Sequence, residues 1–143
     1  MSVRDDILAA LKTALEGTAE EDYPVAIKTV ARTLPNLLTA NQGSLPLVYI
    51  DEGDPETVVL RDSTHTLFAM DLLFVAVCEK GRDPEATAND MLATLKQFCA
   101  SSPSIGAKVL RYLSSEGMAI DHEQRIHLRV QARLLYSCEN GSY

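Results

Sequence analysis

The stretch from His65 to Glu79 restricts the fold more than any other part of the sequence, because it is apolar on both of its alternating faces. Read as a strand, it places Leu67, Ala69, Leu73, Val75 and Val77 on one side and Phe68, Met70, Leu72, Phe74 and Cys78 on the other. A strand of this kind is covered on both sides. Asp71 falls among Leu67, Ala69, Leu73 and Val75, where an unpaired carboxylate is expensive, so it is expected to have a partner. Bilayer spans take roughly 18 or more apolar residues, and the stretch is too short and too interrupted for that. No membrane helix is expected. The opening Met1-Ser2-Val3-Arg4-Asp5-Asp6 carries acids where a secretory signal needs a positive start, so the expected compartment is the cytosol.

Around this strand the sequence places two helices and several further strands. Ser2 and Asp5 can open a helix whose one face holds Val3, Ile7, Leu8, Leu11, Ala14 and Leu15, and Gly17 ends it. Val25 to Leu34 reads as a strand with Lys28 and Arg32 outward, followed by a turn-rich stretch from Pro35 to Gly43. Leu47 to Ile50 is a short strand, and Val58 to Leu60 a brief ribbon. Between them the acidic, proline-broken loop Asp51-Glu52-Gly53-Asp54-Pro55-Glu56 is expected to project into solvent.

Asp83-Pro84-Glu85 places an N-cap, a first-turn proline and an acid at the start of a second helix. Its apolar stripe is Ala88, Met91, Leu92, Leu95, Phe98 and Cys99. Lys108 to Leu113 and Arg125 to Tyr136 read as strands joined by a polar bend through Glu116-Gly117 and Asp121-His122-Glu123. In the last of them Ile126, Leu128, Val130, Ala132 and Leu134 face inward, and Arg125, His127, Arg129, Gln131 and Arg133 face the other way. A chain of 143 residues suits one domain over 1–143. The element order favours an α+β two-layer sandwich, a mainly antiparallel sheet with two helices packed on one face. The second apolar face of His65 to Glu79 then needs another cover, and a partner subunit is the economical candidate.

Motifs for chemistry are scarce, and no catalytic, cofactor or metal site is assigned. Cys78, Cys99 and Cys138 are odd in number and form neither a disulfide framework nor a CxxC knuckle; reduced, partly buried thiols are expected. His122 and His127 stand five apart at or near a strand, which sends their rings to opposite faces, and His65 is remote in sequence. The sequence has no GxSxG elbow, phosphate-binding GxxxxGK[ST] loop or GxGxxG fingerprint. Paired carboxylates at Asp5-Asp6, Glu20-Glu21-Asp22, Asp51-Glu52, and Asp54 with Glu56 lie mostly in expected loops, where solvation gives no reason for the shifted pKa that acid/base work needs. A net charge of −7 argues against broad duplex DNA binding.

One charged pattern stands out. Arg125, Arg129 and Arg133 recur every fourth residue on one side of the last strand. The stripe can be a solvated outer face, can pair with acids (Asp71 on a neighbouring strand, or acidic loops of an adjacent subunit), or can meet nucleic acid.

Taken as a whole, the chain resembles the tail-terminator family of long-tailed bacteriophages, the minor tail protein U-like and related tail-completion proteins. The resemblance rests on the opening helix Arg4 to Leu11, the strand Leu45-Pro46-Leu47-Val48-Tyr49-Ile50 with its acidic loop, the long strand Leu67 to Val77, the helix Pro84 to Phe98, and the alternating strand Arg125 to Tyr136. It implies a hexameric ring that caps the tail tube, stops its polymerisation and presents a surface for head attachment. The partners it implies are further copies of the chain, the tail tube protein and the head connector or neck protein, with DNA only passing through the lumen and no membrane. The implied location is the host cytoplasm during assembly and then the head-tail junction of the virion. Within that reading Asp71, Arg125, Arg129 and Arg133 are subunit-interface candidates, and Asp51, Glu52, Asp54 and Glu56 are candidates for contact with a partner. Two other readings stay open: a small bacterial regulatory or ligand-binding α+β domain acting as a dimer, and a phage head-completion or neck protein. A pocket in which Asp71, His65 and an arginine converge would instead indicate an enzyme.

Overall fold

Helix α1 spans Val3–Glu16 and buries Ile7, Leu8, Leu11 and Leu15, with Asp5 and Asp6 at the positive end of its dipole. The computed structural model describes residues 3–20, 23–32, 45–51, 56–101, 109–116, 119–120 and 124–141. A 3-10 turn, Gly17–Glu20, follows α1. The strands are β1 Thr29–Ala31, β2 Leu47–Asp51, β3 Thr57–Arg61 and β4 His65–Glu79 before helix α2, Pro84–Ala100, and β5 Val109–Ser115, β6 Ala119–Ile120 and β7 Arg125–Glu139 after it.

The two long strands form the spine of the sheet. β4 and β7 pair antiparallel along their whole length, from His65 opposite Glu139 to Glu79 opposite Arg125. The sheet order is β1-β2-β4-β7-β5, with β3 on β4 beside β2 and β6 on β7 beside β5. Only the β1–β2 pair is parallel among these ladders. The fold is therefore the expected α+β two-layer sandwich.

Period-two alternation decides which face is dry. Met70, Leu72, Phe74, Ala76 and Cys78 of β4 and Ile126, Leu128, Val130, Ala132 and Leu134 of β7 share one core with the buried faces of α1 and α2. Each large side chain fully buried there contributes about 1.5–3 kcal/mol relative to exposure. The other face carries a smaller apolar cluster at one end, where Leu45, Leu47 and Val77 pack with Tyr49. The chain thus covers part of its second face itself.

Helix α2 begins where the sequence places it. The Asp83 side chain accepts a hydrogen bond from the Ala86 N–H at 3.2 Å, and Pro84 occupies the first turn, where its missing N–H costs nothing. Buried Thr94 ties α2 to the segment before β1: its hydroxyl accepts from the Val25 N–H at 2.9 Å and lies 3.1 Å from the Asp90 carbonyl oxygen as a donor.

This contact explains one departure from expectation. The strand expected over Val25 to Leu34 is only Thr29–Ala31 within the described residues. The Val25 N–H is taken by Thr94, and the Ile27 N–H donates to the Thr18 hydroxyl at 3.4 Å, so the first backbone donors serve side chains and not a ladder. Thr94→Val is expected to leave the Val25 N–H unsatisfied and to cost about 1–3 kcal/mol in urea unfolding, while Thr94→Ser retains most of the stability. The turn-rich stretch Pro35 to Gly43 and the bend residues Gly117 and Asp121 to Glu123 lie outside the described residues.

Candidate interaction surface

Both described helices lie on one side of the sheet, which leaves the opposite face as the candidate surface. Leu67, Ala69, Asp71, Leu73 and Val75 of β4 are half-buried on it, and β7 adds Arg129 and Arg133, both exposed. Alternation along two registered strands puts these side chains together.

Asp71 has the partner that its apolar surroundings require. It lies directly opposite Arg133, whose Nε donates to Oδ1 at 2.9 Å and whose Nη2 reaches Oδ2 at 3.5 Å, a forked contact. The hydrogen bond to Asp71, and then its charge, raise the Arg133 pKa above the ordinary arginine value. Of the readings open for the arginine stripe, pairing with Asp71 on a neighbouring strand is the one this residue realises.

The stripe itself is not uniform. Arg129 lies 3.9 Å from Glu116, and both side chains are more than half exposed, so the pair is worth little on its own. Arg125, expected on the outer side with the others, is buried at the first position of β7, opposite Glu79 and next to the β6 pairing. Arg111 is the residue the sequence pattern does not flag: β5 holds it exposed and directly opposite Arg133. A lone arginine in an apolar run carries no periodic signal, and only the β5–β7 register reveals its place.

Of the acidic excursion after β2, only the two end residues, Asp51 and Glu56, are described. Asp51 is the last residue of β2, half-buried and opposite Leu73. Glu56 is half-buried with Oε2 enclosed and accepts no hydrogen bond among the described residues. Its charge, after burial, helps push up the Cys138 thiol. These two acids do not project because both ends of the excursion are held by one strand: β2 and β3 pair with neighbouring stretches of β4. Glu52 and Asp54 lie outside the described residues.

The groups that would signal other chemistry stay apart. His65 lies six positions from Asp71 along β4, roughly 20 Å at strand rise, and its Nδ1 contacts the Thr64 hydroxyl at 2.9 Å. His127 sits half-buried on the open face, and His122 is outside the described residues. Among the described residues no three His, Cys, Asp or Glu side chains cluster as a metal site. The thiols of Cys78 and Cys99 are both pushed up to about 11, chiefly by burial, with Glu79 adding to the effect at Cys78. They stay protonated at neutral pH and are poor nucleophiles. No described helix is long and apolar enough to cross a membrane. The surface offers cations, one forked ion pair and half-buried apolar side chains, which is the chemistry of protein contact.

Comparison with solved structures gives a likeness of fold. The chain is similar in fold to a chain from the virion of a native gene transfer agent particle, with a TM-score of 0.60, 15% identity, and coverage of 92% of this chain and 98% of that one. At that identity the likeness is one of fold. No protein-family model matches the sequence, and no curated protein matches it.

Proposed function

We propose that this chain is a structural component of a phage-like virion, working through its surfaces and not by catalysis. The observation that carries the reading is the fold shared, over nearly the whole of both chains, with a chain of a gene transfer agent virion. The open sheet face supports it, since a face of half-buried apolar residues with cations at its margin suits contact with another protein.

Within that class we place the chain as a tail terminator: a hexameric ring of one domain type that caps the tail tube, ends its polymerisation and receives the head connector. A ring needs head-to-tail contacts between two different patches of each subunit. Arg129, on the open face beside the β5 edge, is the charged residue best placed to rim such a contact, and the Asp71–Arg133 pair holds the face in shape. The neck-protein reading shares the same class and differs in the partner met.

Negative-stain images of the purified chain at assembly concentrations are expected to show rings with a central hole and six-fold symmetry. Arg129→Glu is expected to raise the concentration at which rings form by roughly tenfold, about 1.4 kcal/mol, without unfolding the subunit. Open filaments, or isolated subunits at every concentration, would count against the terminator.

A further inference from the structure

We infer that β3 is a strap that lifts from β4 as a local unit while the rest of the sheet stays folded, its turn held by a clip on Asn140. The device belongs to the single subunit and goes beyond the ring reading above.

Little holds β3 down along its length. Every residue from Thr57 to Arg61 is exposed. Val58, Val59 and Leu60 stand at 55–65% exposure, and none of them joins either apolar cluster. A strand that buries so little gains almost nothing from leaving water, and its attachment falls to the ladder on β4. That ladder is itself interrupted, with a register shift between Val58 and Leu60 that leaves Val59 unpaired. β4 does not need β3 in turn. β2 meets the same edge of β4 from Leu73 to Val77, and β3 only from Thr66 to Ala69. The other edge of β4 is paired with β7 throughout, and Phe68 stacks on Tyr136 with ring centroids 5.5 Å apart, which keeps β4 in place whether or not β3 is seated.

The two ends of β3 are held in opposite ways. At the turn into β4, Asp62 Oδ1 accepts from the N–H groups of Thr64 and His65 at 2.8 and 2.7 Å and from the Thr64 hydroxyl at 3.1 Å. Asn140, just past β7, grips this turn from the neighbouring strand. Its Nδ2 donates to the Asp62 carbonyl oxygen at 3.0 Å, its N–H donates to the Thr64 carbonyl oxygen at 2.8 Å, and its Oδ1 accepts from the buried Thr66 hydroxyl at 2.6 Å. At the start of β3, Glu56 adjoins Thr57 and encloses its Oε2 with no hydrogen-bond donor among the described residues. An enclosed carboxylate oxygen without a donor disfavours the seated strand, and the cost is relieved once water reaches it. β3 is thus clipped at its turn and poorly seated at its start, and opening runs from Glu56 toward the turn.

Native-state hydrogen exchange on the dilute chain tests the strap. The β3 amides that donate to β4 are expected to exchange roughly a hundredfold or more faster than the β7 amides paired with β4, at a rate that low urea leaves unchanged. Phe74→Ala is expected to speed exchange in β7 and to leave β3 as it was. Asn140→Ala is expected to speed exchange at Asp62, Thr64 and His65 roughly tenfold, and Glu56→Met to slow exchange across β3 by a similar factor, with the fold of both variants checked by thermal unfolding. If the β3 amides exchange no faster than those of β7, or speed up in step with them in Phe74→Ala, β3 opens only with the whole domain and the strap is overturned. Exchange unchanged in both Asn140→Ala and Glu56→Met would overturn the clipped turn and the poorly seated start.

Discussion

Phe74→Ala is expected to lower the unfolding free energy by about 3–5 kcal/mol, moving the urea midpoint down with the slope unchanged. Phe74 is fully buried at the centre of β4, opposite Ile50 on β2 and Val130 on β7, in the core shared with both helices. Its removal deletes a large apolar contact and leaves a cavity that flanking strands cannot close. Against a typical domain stability of about 5–15 kcal/mol, the loss is a large fraction of the total. The neighbouring Leu73 supplies the control. It points to the open face and is half-buried, so Leu73→Ala is expected to cost clearly less in the isolated chain. Equal losses at the two positions would mean that the face opposite the helices is as dry as the core.

A second large effect is expected at alkaline pH. The folded-state pKa values of Cys78 and Cys99 are raised from the ordinary 9.0 to about 11, because burial disfavours the thiolate. A raised pKa means that the folded state holds these protons more tightly than the unfolded state. The stability they contribute is fully present below pH 9 and is lost as pH rises through about 11. Two units at each thiol correspond to an order of 2–3 kcal/mol apiece. Urea unfolding at intervals from pH 7 to pH 11 is expected to show this decline in the wild type. The Cys78→Ala, Cys99→Ala double variant starts less stable because of the lost packing but is expected to show a flatter decline. Lysine and tyrosine titration is common to both proteins, so the difference in slope isolates the thiols. An identical slope in the two would show that the thiols are not buried as described.

The parts of the fold legible in the sequence are those with a local period. β4 announces itself by its long apolar run, β7 by alternation, and the helices by apolar spacing and by the Asp83-Pro84 start of α2. β1 is overread because a β-branched run looks like a strand, while the hydroxyls of Thr18 and Thr94 that take its backbone donors come from elsewhere in the chain. Asp71 and the arginines are each visible as residues needing explanation, but their pairing depends on the β4–β7 register, which no local pattern supplies. Arg125 looks equivalent to Arg129 in sequence, yet it is buried, opposite Glu79 and next to the β6 pairing, which only the strand registers reveal. The exposure of Val58, Val59 and Leu60 runs against their composition: a β-branched apolar run reads as interior, and only the sheet order shows that β3 is an edge.

The central claim, a ring-forming virion subunit, is tested most directly by the solution mass of the purified chain, measured by light scattering over a broad concentration range. A species near six times the 15.6 kDa chain, growing with concentration at the expense of the monomer, is the expected result. A tight dimer that neither dissociates on dilution nor grows on concentration would contradict it, and would favour the dimeric regulatory domain instead.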